Sequence, residues 1–230
     1  MKSPKELRVP LDAGGAVTAL VYEAGTPGID SPRLPAALVL GHGAGAGQYS
    51  PFMVGFASAL AALGVDTITF NFLYTEQKRR LPDRRPVLES CYRAVIDLVP
   101  RELESAQHLL FIGGKSMGGR IATHVAASDP RLPLAGLVLL GYPLHPPGRP
   151  TERRDAHLPA VRRPMLFVQG SRDTFGTPDE LEPILAQLNP RPTLHVVAGG
   201  DHSFKVAKSL DQSAVYRNIQ QTIADWLRDV

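Results

Sequence analysis

The feature that most constrains the fold is an alternation along the chain. Short apolar or β-branched runs are followed, repeatedly, by stretches whose apolar residues recur every three or four positions. Ala36–Leu40, Thr67–Phe70, His108–Ile112, Leu134–Leu140, Met165–Val168 and Thr193–Ala198 read as buried strands. Helix faces are marked by Phe52, Phe56, Leu60 and Leu63, by Leu88, Cys91, Tyr92, Val95, Ile96 and Val99, and by Ile121–Ala127. A last face carries Val215, Ile219, Ile223, Trp226 and Leu227. Thr177-Pro178-Asp179-Glu180 is a capping box with proline at the first helical position, opening a helix with Leu181, Ile184, Leu185 and Leu188 on one side. Repeated strand–helix units predict an α/β class fold: a mostly parallel central sheet with helices on both faces. An N-terminal antiparallel hairpin precedes it, Glu6–Pro10 and Ala16–Glu23, joined through Asp12-Ala13-Gly14-Gly15. Residues 25–35 read as a Pro- and Gly-rich loop. No repeat or linker interrupts the pattern, so residues 1–230 are expected to form a single domain.

In open α/β sheets ligands bind outside the carboxyl ends of the strands. One window after a strand reads "FIGGKSMGGR", Phe111 to Arg120, and it admits two chemistries. Gly-Lys-Ser closes a nucleotide-binding P-loop, but that motif needs a glycine at position 109, where Leu109 sits inside a strand. "GHGAGA", Gly41 to Ala46, formally fits a dinucleotide fingerprint. The acid that should end the next strand is missing, because Asp66 stands at that strand's beginning.

Gly114-Lys115-Ser116-Met117-Gly118 also fits the nucleophile elbow, in which a strand ends in G-x-S-x-G and a helix begins at once. Alone, the stretch is equally a glycine-rich turn with an N-capping serine. A nucleophilic serine further needs an acid and then a histidine, in that order along the chain. Asp173 follows the Met165–Val168 strand and His202 follows the Thr193–Ala198 strand, so Ser116, Asp173 and His202 each lie just past a different strand. His195 is mid-strand, His108 and His124 fall in a strand start and a helix, His157 falls in a surface helix, and His42 precedes the acid. Asp201 fits a loop cap, and Asp179 and Glu180 fit the first turn of the capped helix. The backbone N–H groups of Ala44 and Met117 are the candidate oxyanion hole, with Gly43 and Gly45 as near alternatives, and His42 is expected to brace that loop.

The segments "GHGAGAG", "FNFLYTEQKRRLPDRRPVL", "GGKSMGGR", "GYPLHPPGRP", "LFVQGSRDTFG" and "GDHSFKV" resemble the α/β-hydrolase superfamily in its dienelactone-hydrolase-like branch. They are most similar to the small hydrolases that include testis-expressed protein thirty and NSL complex subunit three. The resemblance spans about residue 15 to the C-terminus and implies an α/β-hydrolase fold with Ser116, Asp173 and His202 as triad. Residues 142–163 are too few for the lid domain many such enzymes carry, so no lid domain is expected.

The expected activity is a serine esterase or thioesterase for a small substrate, acting through an acyl-serine. Lys115, Tyr142, His145, Arg172 and Phe175 are candidate substrate contacts, with Pro143 as a further wall. Lys78, Arg79, Arg80, Arg84, Arg85, Lys115, His145, Arg149, Arg153, Arg154 and Arg172 crowd the expected catalytic edge and either attract an anionic substrate or form a solvated surface paired with acids. A scaffold that keeps these residues without using them is the alternative function, and a nucleotide-binding protein a third. No cofactor is expected, and no cluster has metal-ligand spacing. A net charge of +3 is too small to suggest a nucleic-acid partner, and no apolar run approaches the length a membrane helix needs. The one cysteine, Cys91, on a buried helix face, excludes an intramolecular disulfide, and no signal peptide is read at the N-terminus, so a cytoplasmic protein is expected.

Overall fold

All six residues of Ala36–Gly41 are buried, which only a strand in the middle of a sheet covered on both faces allows. The computed structural model, which describes residues 3–25 and 33–230, builds that sheet. Its elements are β1 (Lys5–Pro10), β2 (Ala16–Tyr22), β3 (Ala36–Gly41), α1 (Pro51–Ala62), β4 (Asp66–Phe70), α2 (Leu73–Glu76), α3 (Arg85–Glu102) and α4 (Glu104–His108). There follow β5 (Leu109–Lys115), α5 (Met117–Ser128), β6 (Gly136–Leu140), β7 (Met165–Gly170), α6 (Pro178–Leu185), β8 (Thr193–Val197) and α7 (Gln212–Asp229). The expected loop over residues 25–35 falls largely outside the described residues.

The eight strands lie in the order β1-β2-β4-β3-β5-β6-β7-β8. The β1/β2 and β2/β4 pairs are antiparallel and the remaining pairs parallel. This is the α/β fold the alternation predicts, with the hairpin extending one edge. The strand period of two divides β3 between the faces. Ala36, Leu38 and Leu40 pack with Met53, Phe56 and Leu60 of α1 and with Ile219, Ile223 and Leu227 of α7. Ala37 and Val39 join the opposite layer, with the expected face of α3 and with Ile121 and Val125 of α5.

Several boundaries differ from the sequence expectation. His108 closes α4 rather than opening a strand, because Glu104–His108 wind into a short turn in which Ser105 Oγ donates to the buried Asp66 at 2.6 Å. In exchange β5 runs on to Lys115, where Gly113, Gly114 and Lys115 still pair with Val138, Leu139 and Leu140 of β6. His157 precedes a single 3-10 turn, Leu158–Ala160, instead of lying in a surface helix. Its ring stacks on His124 at 3.5 Å. The segment from 141 to 164 carries that turn and no lid domain. Among the described residues no helix is long and apolar enough to cross a membrane.

Tyr92 of α3 reaches under the sheet where β3 and β5 run side by side. Its Oη donates to the Gly113 carbonyl at 2.6 Å, lies 2.9 Å from the Val39 carbonyl and accepts the Gly113 N–H at 3.0 Å. Tyr92→Phe keeps the ring but strands buried backbone groups of both strands. It is expected to lower the free energy of unfolding by about 1–2 kcal/mol in urea titrations.

Candidate functional site

β5 passes into α5 with one residue between them, Ser116, whose φ of 52° and ψ of −114° lie where a side chain rarely goes. Such a backbone costs on the order of 1–3 kcal/mol and persists only where the surroundings enforce it. Here glycines enforce it: a Cβ on Gly114 or Gly118 would collide with the backbone of Gly41, so only glycine lets the end of β3 approach the first turn of α5. The Ser116 N–H is held by the Leu140 carbonyl at 2.9 Å, which leaves its side chain standing above the strand ends.

Two further strand ends supply the partners of Ser116. His202 Nε2 lies 2.9 Å from Ser116 Oγ, and His202 Nδ1 lies 2.8 Å from Asp173 Oδ2. Asp173 is fully buried and accepts the Phe175 N–H on its other oxygen at 2.8 Å. Gln169, the penultimate residue of β7, completes this support. Its Nε2 donates to Asp173 Oδ2 at 2.9 Å and to the Gly176 carbonyl at 2.7 Å, while its Oε1 accepts the Tyr142 N–H at 2.8 Å. No sequence motif marks Gln169; its one signal is a lone amide at the end of an otherwise apolar strand. Phe175 stacks on the His202 ring at 4.1 Å. Asp201 accepts the N–H groups of Ser203 and Lys205 and so caps the histidine loop.

The loop after β3 is braced from below. His42 is buried, its Nδ1 donating to the Gly43 carbonyl at 2.9 Å and its Nε2 accepting the Phe72 N–H at 3.2 Å. Burial holds this imidazole neutral, with a pKa lowered to about 4. Gln48 extends the brace by donating its N–H to Asn71 Oδ1 and its side chain to the Thr18 carbonyl. Among the described residues no internal hydrogen bond occupies the N–H groups of Ala44 or Met117. Gly43 sits directly against Ser116, since a Cβ there would lie 3.6 Å from Ser116 Cβ.

A cleft of about 590 Å³ opens over Ser116 and His202, walled by Ala44, Phe52, Met117, Pro143 and Phe175 among others. Of the expected substrate contacts, Phe175 and Lys115 line it, and Tyr142, His145 and Arg172 do not. Tyr142 turns into the core and donates its Oη to the Arg154 carbonyl at 2.7 Å. Both His145 nitrogens are engaged, with Glu180 at 3.2 Å and the Pro146 carbonyl at 2.9 Å. Arg172 ties its own loop to the Gly199 carbonyl at 2.9 Å. Lys115 finds no hydrogen-bond partner. It is only 8% exposed, and its Nζ is buried without a hydrogen bond, 5.8 Å from the Phe204 ring centroid. Desolvation pulls its pKa down to about 8 against the opposing pull of Asp173 and Asp201.

Residues 35–228 match a protein-family profile described as an alpha/beta hydrolase domain. Among solved structures, an a/b serine hydrolase without lid from Xanthomonas campestris is 21% identical at a TM-score of 0.74, with 98% of this chain and 96% of that chain covered. An alpha-beta serine hydrolase homologue from Coxiella burnetii is 17% identical at a TM-score of 0.76, with 98% of each chain covered. A dienelactone hydrolase from Anabaena variabilis is 20% identical at a TM-score of 0.72, with 99% of each chain covered. These three likenesses concern the fold.

The buried ammonium of Lys115 sets a stability prediction. Its folded pKa of about 8 is below the ordinary 10.5, so between these values the unfolded chain binds more protons and stability rises with pH. Below about pH 8 the whole penalty is present. Lys115→Met is therefore expected to raise the unfolding free energy at neutral pH by roughly 2–3 kcal/mol. Denaturation curves should show that gain shrinking as pH climbs from 8 towards 10.

Proposed function

Since the chain belongs to the α/β-hydrolase family, we propose that it is a serine hydrolase that cleaves a small carboxylic ester or thioester through an acyl-serine intermediate. On the motifs of its sequence we place it with the small hydrolases related to testis-expressed protein thirty. The observation that carries the reading is the unbroken chain from Ser116 Oγ through His202 to the buried Asp173, with spans of 2.9 and 2.8 Å.

In this mechanism Ser116 Oγ attacks the substrate carbonyl as His202 Nε2 takes its proton. Asp173 fixes the imidazole tautomer, with the proton on Nδ1, and stabilises the imidazolium that forms. The oxyanion collects on the N–H groups of Ala44 and Met117, the latter at the N-terminus of α5 where the helix dipole assists. His202 then protonates the departing alkoxide or thiolate. Water, deprotonated by the same nitrogen, attacks the acyl carbon and releases acid and free Ser116. An alcohol or thiol leaves more readily than an amine, which favours esters over amides.

A fluorophosphonate probe tests this directly. The wild type is expected to label one to one, Ser116→Ala not at all, and His202→Ala slower by roughly 10³-fold or more. A folded wild type that leaves the probe untouched would sink the hydrolase reading in favour of a scaffold.

A further inference from the structure

The cleft holds a second set of polar side chains that the chemistry above leaves unused. Arg120 leaves the first turn of α5, one turn after Ser116, and its buried Nε makes no hydrogen bond. Arg154 lines the same cleft from the segment between β6 and β7. Its backbone is pinned on both sides, the N–H on the Leu144 carbonyl and the carbonyl on Tyr142 Oη. Among the described residues neither guanidinium has a carboxylate within salt-bridge distance. Arg85, at the start of α3, reaches only Glu89 of its own helix, at 3.2 Å. One carboxylate lines the cleft, Asp83; Arg79 holds its Oδ1 at 2.7 Å, and its Oδ2 is buried without a hydrogen bond.

Arginines that serve the fold of this chain look different. Arg93 is bound to the Val125 carbonyl and Ser128 Oγ, and Arg163 to the carbonyls of Pro130 and Leu132. Arg120 and Arg154 make no such bond. Gathering unneutralised cations in a half-desolvated place costs energy, and neighbouring groups register it. Burial, then Arg154 and Arg85, lower the Arg120 pKa, with Tyr142 opposing. The stacked His124 and His157 are driven down to about 3 and about 4, by burial first and then by the positive charges around them. A fork of guanidinium donors is the group best matched to a planar carboxylate or a phosphate.

We infer that Arg120 and Arg154, assisted by Arg85, form an anion subsite of this cleft, and that the ester cleaved at Ser116 carries a carboxylate or phosphate group that docks there. The substrate half rests on the hydrolase reading; the subsite itself does not. The bases expected from sequence to meet an anion already include Arg85 and Arg154, whereas Lys115, His145 and Arg172 have polar groups that are buried or committed elsewhere. Arg120 was in view throughout as the last letter of "GGKSMGGR".

The test compares 4-nitrophenyl hydrogen succinate with a neutral 4-nitrophenyl ester of matched length, in the wild type and in Arg120→Gln, Arg154→Gln and the double variant. The readout is the ratio of kcat/KM for the two esters. The wild type is expected to favour the anionic ester roughly 10- to 100-fold, with the ratio falling about tenfold in each single variant and further in the double. A wild-type ratio near one, or a ratio the variants leave unmoved, overturns the inference. In parallel, succinate and inorganic phosphate are titrated while the His124 and His157 imidazole resonances are followed near about pH 5. Binding should move both towards the protonated form, and the tighter anion identifies the docked group. If neither ester is cleaved and the fluorophosphonate leaves Ser116 unlabelled, the hydrolase reading has failed and this titration decides the subsite. Anion binding lost in Arg120→Gln then supports it, and a folded wild type that binds neither anion overturns it.

Discussion

The close approach of Gly41 to the first turn of α5 is the contact on which the rest of the site depends. With no side chain at Gly114 or Gly118, the backbone at the end of β3 lies against the helix start, and nothing larger would fit. That single approach fixes two things together. It holds Ser116 in its positive φ, and it brings the loop after β3 against Ser116. Tyr92 ties the same two strands together from beneath, so core packing and site geometry are one mechanical unit.

Around that unit, polar groups are buried in two different ways. Asp173 and His42 are enclosed by donors and acceptors aimed at them, so each is locked in one orientation at little energetic loss. Lys115 and the Arg120 Nε are enclosed without partners. A fold seldom tolerates the second condition for its own sake. Among the described residues Tyr74, Thr75 and Asp83 share this condition, and Lys115 and Arg120 are the two that fall within a few residues of Ser116.

How much of this was legible in the sequence follows from which physical rule each residue obeys. The strand–helix alternation marked the sheet, because burial on both faces demands unbroken apolar strands, and β3 and β6 are buried throughout. The Thr177 capping box was visible because its reciprocal bonds depend only on local spacing, and both are present. The meeting of Ser116, Asp173 and His202 was legible because strand ends of a parallel sheet converge. Side-chain direction was not legible. Tyr142, His145 and Arg172 stand at suitable strand ends, but neighbours distant in the chain turn them to the Arg154 carbonyl, to Glu180 and to the Gly199 carbonyl. Lys115 defied both outcomes open to it because β5 continues three residues beyond the apolar run, which draws its side chain into the interior. Arg120 went unremarked because a charged residue in a helix ordinarily faces water.

The brace on the loop after β3 has an acid limit written into it. Each His42 nitrogen has a fixed duty, one giving a proton and the other receiving one. Protonation near pH 4 turns the receiving nitrogen into a donor pointed at the Phe72 N–H, and the two can then only repel. The loop therefore keeps one shape throughout the neutral range. Acid acts on this loop through one residue, His42, whose charging removes the bond from the Phe72 N–H.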